Sequence, residues 1–318
     1  MSDALVYYSD DQPGIRRMRR GRGFSYLAPD GTRIADATER ARLAALAVPP
    51  AYEDVWICPL PNGHLQATGR DARLRKQYRY HEKWSQVQAR NKFDKLVDFG
   101  QALPRLRARL GRDLKEEAGA REFALACAVT LIDRAALRIG NPDYTAQNGS
   151  YGALTLRNKH IALEDGGLRL RYTAKGGKRV CRLLKDRTLS RALNKIDDLP
   201  GAEVLTWLNE DGDTHTISSQ ALNGYIADAA GDEAVTAKTF RTWAGSVAAY
   251  EVAERGEATI KQMAQAAAAR LSNTPTVARK SYIHPDIIDL AGHEPVRYDA
   301  AKSGLRASEN RLLGYLKR

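Results

Sequence analysis

The chain has 318 residues and a formal net charge of +12, from 50 lysines and arginines against 38 aspartates and glutamates. Its 43% apolar and 28% charged content excludes a disordered chain and predicts a folded protein with room for two domains. A pI near 9.6 favours a polyanionic partner, and nucleic acid is the first candidate.

The sequence carries no pattern of a secreted or membrane protein. Its three cysteines lie far apart and form no disulfide or zinc pattern, which is typical of a reducing compartment. No apolar run reaches the length of about 18 residues expected for a membrane span. The first residues, MSDALVYYSDDQPG, lack the basic start and apolar core of a signal peptide. We expect a cytoplasmic protein, associated with the nucleoid if its partner is DNA.

Residues 1–83 predict a β-rich N-terminal domain. Asp-Gly in FSYLAPDGTRI and Asn-Gly in VWICPLPNGHLQATG are typical of tight turns between strands. The stretch RRMRRGRG, residues 16–23, places five arginines in eight positions. It favours either a solvated loop or a loop that faces phosphate groups.

Residues 84–318 predict a larger domain that begins with long helices. A charged amphipathic stretch from Glu82 to about Leu110 predicts a linker helix. The segment REFALACAVTLIDRAALRIGN is apolar almost all round and predicts a buried helix ended by Gly140, with Arg138 in its last turn. A cation there either stabilises the helix C-terminus or binds an anion.

A small sheet is predicted next, in GALTLRNKHIALEDGGLRLRYTAKGGKRVCRLLK. Its three β-like runs are joined at Asp165-Gly-Gly and at Lys175-Gly-Gly, which places Lys175 at a hairpin tip. Helical patterns resume after it. The predicted fold is therefore α+β: a small β-rich N-terminal domain, and a larger, mostly helical C-terminal domain with a small antiparallel sheet.

Two cations begin one of these later helices. Lys238 and Arg241 are three residues apart, so they lie on one helix face, where their charges repel and the helix dipole disfavours both. A phosphate between them would relieve both costs. A solvated pair is the alternative, although the flanking Phe240 and Trp243 favour a half-buried position.

Aromatic and basic residues alternate near the end of the N-terminal domain. Between Arg70 and Lys83, six basic residues are interleaved with Tyr78, Tyr80 and Trp84. This pattern suits contact with a sugar-phosphate backbone and with bases. An ordinary strand with two different faces explains the tyrosines equally well.

No motif predicts a metal, nucleotide or other cofactor. The six histidines are scattered without ligand spacing. The stretch AKGGKR lacks the earlier glycine and the following Ser or Thr that a phosphate-binding P-loop requires.

The stretch SNTPTVARKSYIHP places Tyr282 at a predicted helix end. A tyrosine there is either a packing residue or a nucleophile. Cations can hold a phosphodiester and stabilise a pentacoordinate phosphorane without a metal, while a tyrosine attacks the phosphorus. The spacing of the residues alone does not choose between these readings.

Together the motifs resemble those of the poxvirus-like type IB DNA topoisomerases, in their bacterial branch, over about residues 60–290. GRDARLRKQYRY resembles the N-terminal stretch that contacts the DNA major groove, and AALRIGNPDYT, YTAKGGK, AKTFRTW and NTPTVARKSY resemble the catalytic motifs. The resemblance implies that the catalytic residues are Arg138, Arg241, Asn273, the general acid Lys175 and the nucleophile Tyr282. It implies DNA-binding roles for Arg70, Arg75, Lys76, Gln77, Tyr78, Tyr80, Tyr144 and Lys238.

Two positions depart from the family pattern. Nine residues before the tyrosine, where the family commonly has a histidine that donates to a phosphate oxygen, this chain has Asn273. An asparagine amide donates the same bond without charge; alternatively, Asn273 caps the short helix opened by Pro275. Gly176 stands where poxvirus members have an acidic residue.

The resemblance implies a monomer that clamps double-stranded DNA and relaxes supercoils through a 3′-phosphotyrosyl intermediate, without ATP or metal. Tyrosine recombinases share this fold and are the alternative, but they usually have His-x-x-Arg where this chain has Lys238-Thr-Phe-Arg241. A non-catalytic architectural DNA-binding protein is an alternative of another class.

Overall fold

A computed structural model of the chain describes residues 4–72, 74–84, 92–196, 203–295, 298 and 304–318. The chain divides into two compact units, Met1–Lys92 and Phe93–Arg318, and each has its own hydrophobic core. The linker helix expected from Glu82 to about Leu110 falls partly on residues 85–91, which lie outside the described residues.

The N-terminal unit consists of β1 (Ile15–Arg20), β2 (Gly23–Leu27), α1 (Ala37–Ala45), β3 (Glu53–Ile57), β4 (Leu65–Arg70) and β5 (Lys76–Tyr80). The strands form one antiparallel sheet in the order β2-β1-β3-β4-β5, with α1 on one face. Leu43 of α1 packs with Ile15, Ile57 and Ala67, which lie on that face of the sheet.

The arginine-rich stretch at residues 16–23 is a β-hairpin, so the expectation of a loop there is wrong. Arg17 shows why an arginine fits on the core side of β1. Its guanidinium donates hydrogen bonds of 2.7 to 2.9 Å to three main-chain carbonyls and lies over the Phe24 ring, 4.2 Å from its centroid. The main-chain carbonyls therefore supply hydrogen-bond acceptors to a guanidinium that the sequence pattern places in solvent.

The C-terminal unit is mostly helical, with one three-stranded and one two-stranded antiparallel sheet, which confirms the predicted α+β class. Its strands are β6 (Ile161–Glu164), β7 (Gly167–Ala174), β8 (Lys178–Leu184), β9 (Thr206–Leu208) and β10 (Thr214–Thr216). Its helices are α2 (Leu96–Asp113), α3 (Arg121–Ala135), α4 (Pro142–Asn148), α5 (Arg187–Ile196), α6 (Ser219–Ala230), α7 (Ala237–Ala253), α8 (Ile260–Leu271), α9 (Pro275–Tyr282), α10 (Pro285–Ile288) and α11 (Ala307–Leu316). Among the described residues, no helix is both long and apolar enough to cross a membrane.

Helix α3 forms the centre of this unit. Every residue from Phe123 to Asp133 is buried, which confirms the prediction of a buried helix. The predicted end at Gly140 is wrong, because the helix ends at Ala135 and Ala136 adopts a left-handed conformation with φ 52°. Arg138 therefore lies beyond the helix and not in its last turn.

The predicted meander is present as the three-stranded sheet β6-β7-β8. Strands β7 and β8 are in register up to the pair Ala174–Lys178, which leaves Lys175 at the hairpin tip. Gly176 and Gly177 follow it with φ of 82° and 75°, values that residues with a side chain rarely adopt. The Gly-Gly pair is thus required by the turn.

A buried ionic network fixes the C-terminal helix α11 to the core of the unit. The Arg107 guanidinium, from α2, contacts Asp133 at 2.9 Å and Glu309 at 2.7 Å, and the Trp243 indole donates to Glu309 at 3.3 Å. Burial alone would raise the pKa of both carboxyls, but hydrogen bonds and charge from Arg107 outweigh it and lower the two pKa values below 3.8 and 4.5.

We predict that the free energy of unfolding falls as the pH drops below about 4.5, because the folded protein binds these protons more weakly than the unfolded chain. Glu309→Gln removes one of the two carboxylates and costs on the order of 3 kcal/mol at neutral pH. It also flattens the pH dependence. Urea unfolding from pH 3 to pH 7 measures both effects, with Glu233→Gln, at an exposed position, as the control. An equal loss of stability in both variants would contradict the prediction.

Candidate active site

Three arginines converge on the C-terminal end of α3. Their guanidinium groups donate to three consecutive main-chain carbonyls, at positions 134 to 136. Arg270 of α8 binds the first at 3.0 Å, Arg182 of β8 binds the second at 2.6 Å, and Arg241 of α7 binds the third. The last carbonyls of a helix have no partner within it and carry partial negative charge, so cations are favoured there.

Two of these arginines also bind the C-terminal end of α8. Arg182 donates to the Ser272 hydroxyl at 3.1 Å and to two of the last carbonyls of the helix. Arg241 donates to the Leu271 carbonyl at 3.1 Å. Each side chain thus crosslinks the ends of α3 and α8 and holds them side by side.

The two crosslinked ends bring Arg138 and Asn273 together. Ala136 and Ser272 both have φ of 52°, so each chain turns sharply as its helix ends. Arg138 follows the first turn and Asn273 follows the second, and the guanidinium of Arg138 donates to the Asn273 side-chain oxygen. The Asn273 main-chain carbonyl accepts a hydrogen bond from Lys178, just beyond the hairpin tip.

The contact with Arg138 determines which way the Asn273 amide faces. A guanidinium has only donors, so the amide oxygen must point towards it and the amide nitrogen must point away. Asn273 is only 7% exposed, and its Nδ2 is buried without a hydrogen-bond partner among the described residues. A buried donor in this position is suited to an oxygen atom of a ligand.

The alternative role of Asn273, as the cap of α9, is wrong. The N-cap of this helix is Thr274, whose hydroxyl accepts a hydrogen bond from the Val277 amide at 3.3 Å. Pro275 follows as the first helical residue.

Tyr282 and Arg241 lie next to each other at the end of α9. The guanidinium carbon of Arg241 is 5.2 Å from the centroid of the Tyr282 ring. Arg241 is 4% exposed, and burial, assisted by the charge of Arg138, lowers the pKa of its guanidinium to about 10. The group remains cationic at neutral pH, so two arginine charges and a phenol share one small region.

Two small residues of α7 fix the main chain of Tyr282. The Ser246 hydroxyl donates to the Tyr282 carbonyl at 3.3 Å and accepts from the His284 amide at 3.1 Å. A Cβ atom on Gly245 would lie 2.6 Å from the same carbonyl oxygen, closer than real Cβ contacts. The close approach of α7 and α9 therefore requires glycine at this position.

Lys175 and Tyr144 border a cleft beside Arg138. The exposed Lys175 ammonium is 5.4 Å from the centroid of the Tyr144 ring, and the cleft encloses about 440 Å³. Tyr144 lies in the first turn of α4, where its amide donates to the N-cap Asn141 at 2.8 Å. Arg138 therefore belongs to two neighbouring groups. It contacts Asn273 near Tyr282 and Arg241, and it also lines the cleft that contains Lys175.

Lys238 lies apart from these contacts. It is exposed in the first turn of α7, whereas Arg241, one turn further on, is buried. The expectation of a half-buried pair is therefore wrong for Lys238. The helix places the two cations at different depths.

The six candidate DNA-binding residues of the N-terminal unit lie on or beside β5, and several form ion pairs with acidic residues. Asp71 contacts Arg75 at 2.6 Å and accepts from Gln77 at 3.0 Å. The exposed Tyr78 and Tyr80 rings stack 6.1 Å apart. Two further pairs are Lys76–Asp10 at 2.5 Å and Arg70–Asp54 at 3.4 Å.

Sequence reasoning missed Arg182 and Lys178. Alternation along β8 carries a signal for Arg182, because it occupies the same face of the strand as the buried Val180. An arginine at an inward position needs acceptors, but the sequence does not reveal that two helix ends supply them. Lys178 lies on the same face, two residues before Val180, and carries the same signal. In the described part of the chain, no three His, Cys, Asp or Glu residues cluster as metal ligands would.

Two family models match the chain. One is described as the N-terminal domain of bacterial DNA topoisomerase IB and matches residues 23–71; the other is described as the catalytic core of eukaryotic DNA topoisomerase I and matches residues 81–285. The DNA topoisomerase 1B of Acanthamoeba polyphaga mimivirus is 27% identical over 298 residues, which cover 89% of this chain and 88% of that protein.

The catalytic-core match spans more than half of the chain and defines a DNA topoisomerase, an isomerase that acts on DNA. With the N-terminal match, the chain belongs to the type IB DNA topoisomerase family, with a bacterial type of N-terminal domain. The resemblance inferred from the sequence motifs is confirmed.

We predict that Arg182→Met destabilises the C-terminal unit by about 2 to 4 kcal/mol, because four acceptors at two helix ends lose a charged donor. Arg182→Lys should recover part of this loss, since an ammonium reaches fewer acceptors than a guanidinium. Urea unfolding measures the change. Arg179→Met, an exposed position on the same strand, serves as the control. An Arg182→Met variant as stable as this control would show that the crosslink contributes nothing.

Proposed function

We propose that this protein relaxes supercoiled DNA by cutting and resealing one strand, with Tyr282 as the nucleophile. The observation that carries the proposal is the cluster of Tyr282, Arg241, Arg138 and Asn273, in which a buried amide N–H faces no protein acceptor among the described residues. A phosphodiester in this cluster would meet two cations and a neutral donor. These are the groups that a phosphorane requires.

The proposed reaction keeps the energy of the phosphodiester bond that it breaks, because a new phosphate ester to Tyr282 replaces it. The Tyr282 oxygen attacks the phosphorus, the bond from phosphorus to the 5′ oxygen breaks, and a 3′-phosphotyrosyl link forms. The phenol releases its proton to water, and Lys175 gives one to the departing 5′ oxygen. Reversal of the same steps reseals the strand after the duplex has swivelled.

Arg138, Arg241 and Asn273 stabilise the same transition state from different sides. The guanidinium groups neutralise the charge on the non-bridging oxygens, and the Asn273 amide donates a further hydrogen bond. The main-chain bonds of Arg241 hold it rigid, so little reorganisation accompanies the reaction. Tyr144 and Lys238 contact the flanking phosphates.

Because the phosphotyrosyl link retains the energy of the phosphodiester, the reaction consumes no ATP, and we infer that it uses no metal. The enzyme acts as a monomer on double-stranded DNA in the nucleoid of the cytoplasm. A tyrosine recombinase uses the same tyrosine chemistry and is the second candidate function, but both family matches are to topoisomerases.

The first test of this function is relaxation of supercoiled plasmid in EDTA without ATP. We predict that the wild-type protein relaxes the plasmid and that denaturant traps a covalent adduct with DNA. Tyr282→Phe should lose both activities, because it lacks the attacking oxygen, and should keep its DNA affinity. Tyr298→Phe, at another tyrosine of the same unit, is the control. An active Tyr282→Phe variant would remove this residue as the nucleophile.

The second test concerns the amide of Asn273. Asn273→Asp keeps the acceptor for Arg138 but replaces the N–H donor with a carboxylate oxygen whose charge repels the phosphate. We therefore predict a loss of at least about 10² to 10³ in the cleavage rate, the loss expected for an oxyanion-hole donor. Asn273→His should stay active, because an imidazole N–H can donate to the same non-bridging phosphate oxygen. Single-turnover cleavage under saturating DNA measures the rate.

The neighbouring cap supplies the matched control for this test. Thr274→Ala should lower the stability by about 1 kcal/mol through the lost N-cap and leave the cleavage rate near that of the wild type. If Asn273→Asp and Thr274→Ala lose stability but neither loses rate, the amide has no part in the chemistry.

A further inference from the structure

A lysine on the inner face of β8 contacts the candidate active site through the main chain of Asn273. Side chains alternate between the two faces of a strand, so Lys178 lies on the same face of β8 as the buried Val180. Its ammonium donates a hydrogen bond to the Asn273 main-chain carbonyl. The side-chain oxygen of the same asparagine accepts from Arg138. Asn273 therefore contacts both the arginine cluster and the hairpin that carries Lys175.

The Asn273 carbonyl is a rigid point of attachment. Helix α8 ends in a tight turn, in which Ser272 is left-handed and the Asn273 amide donates to the Ala268 carbonyl at 3.0 Å. This turn fixes the main chain on the amino side of the carbonyl. Thr274, on the other side, is the N-cap of α9. A donor that binds the carbonyl is therefore held between two fixed helix ends.

The tip of the β7–β8 hairpin has a permissive backbone. Lys175 is followed by Gly176 and Gly177, and glycine has more conformational freedom than any other residue. The Gly177 amide closes the turn by donating to the Ala174 carbonyl at 3.1 Å. That bond shapes the turn but does not attach it to anything outside the hairpin. The position of Lys175 relative to the cluster must therefore come from other contacts.

Each strand of the hairpin is attached near the tip to another part of the C-terminal unit. On β7, the Thr173 carbonyl accepts a hydrogen bond of 2.8 Å from the Tyr151 amide. On β8, the attachment is the contact of Lys178 described above. Ala174 and Lys178 form the last pair of the ladder, so a shift of β8 at this point also moves Lys175.

We propose that Lys178 is a positioning residue for Lys175, because its bond to the Asn273 carbonyl sets the distance between the hairpin tip and the bound phosphate. The inference rests on the proposed function, since it takes Lys175 as the acid that protonates the 5′ oxygen. Proton transfer requires the donor within about 3 Å of that oxygen, and a displacement of about 1 Å can cost roughly 10²-fold in rate. Lys178 itself gives no proton and contacts no reacting atom.

The test compares two DNA substrates that differ in one atom of the scissile phosphate. One has the ordinary bridging 5′ oxygen, and the other has sulfur there, which leaves as a thiolate and needs no proton from an acid. Lys178→Met keeps most of the side-chain length but has no donor. We expect it to slow single-turnover cleavage under saturating DNA by about 10²-fold on the ordinary substrate and by less than about tenfold on the sulfur substrate.

Three further variants separate positioning from other effects. Lys178→Arg should recover most of the rate on the ordinary substrate, because a guanidinium also donates to a carbonyl. Arg179→Met, at an exposed position on the opposite face of β8, is the matched control and should cleave both substrates at the wild-type rate. Lys175→Ala with Lys178→Met should be no slower than Lys175→Ala alone, because the position of the tip has no effect once the acid is absent.

Three results would overturn the proposal. An equal loss on both substrates would show that Lys178 acts through Asn273 or the fold and not through the acid. A weaker DNA affinity with an unchanged rate at saturation would make Lys178 a phosphate contact. Wild-type rates in Lys178→Met would show that the contact has no function. The melting temperature of this variant, at an exposed position, should stay near that of the wild type.

The same experiment distinguishes a failure of this inference from a failure of the proposed function. If the wild-type protein cleaves neither substrate, the proposed function is wrong, and the role of Lys178 is wrong with it. If the wild type cleaves both substrates and Lys178→Met shows no difference between them, only the positioning role is wrong.

Discussion

The candidate active site depends on one interaction, the binding of buried arginines to the carbonyls at the ends of α3 and α8. Arg182 and Arg241 each reach both ends, so the relative position of the two helices is fixed by donors that come from other elements. Arg138 and Asn273 leave these ends directly and meet because the ends are adjacent. Arg241 has two roles, because the guanidinium that crosslinks the helices also lies beside the Tyr282 ring.

This arrangement explains why so much positive charge is tolerated in a buried region. Carbonyls at helix C-termini carry partial negative charge and supply hydrogen bonds without adding an acidic residue that would compete for the cations. No described acidic residue forms an ion pair with Arg138 or Arg241. In the proposed function, this net positive charge is available to a phosphate. Burial, together with the charge of Arg138, lowers the pKa of the Arg241 guanidinium.

The sequence predicts those parts of the fold that local pattern determines. The apolar run of α3 and the Gly-Gly turn at Lys175 are local signals, and both predictions were right. The end of α3 could not be predicted, because the side chains that bind its last carbonyls lie more than forty residues away in the sequence. At α9, a proline in the first helical position already assigns the cap to the residue before it, so Thr274 was accessible to sequence reasoning.

The orientation of the Asn273 amide has a consequence for the proton balance of the site. A histidine at this position would exist in two charge states near neutrality, and its hydrogen bond to a phosphate oxygen would vary with acidity. An amide has no such equilibrium, and the Arg138 contact prevents it from turning its oxygen towards the substrate. The donor is therefore permanently present but always neutral. In the proposed mechanism, the chain gives up a third cation at the phosphate and gains a contact that does not respond to acidification of the cell.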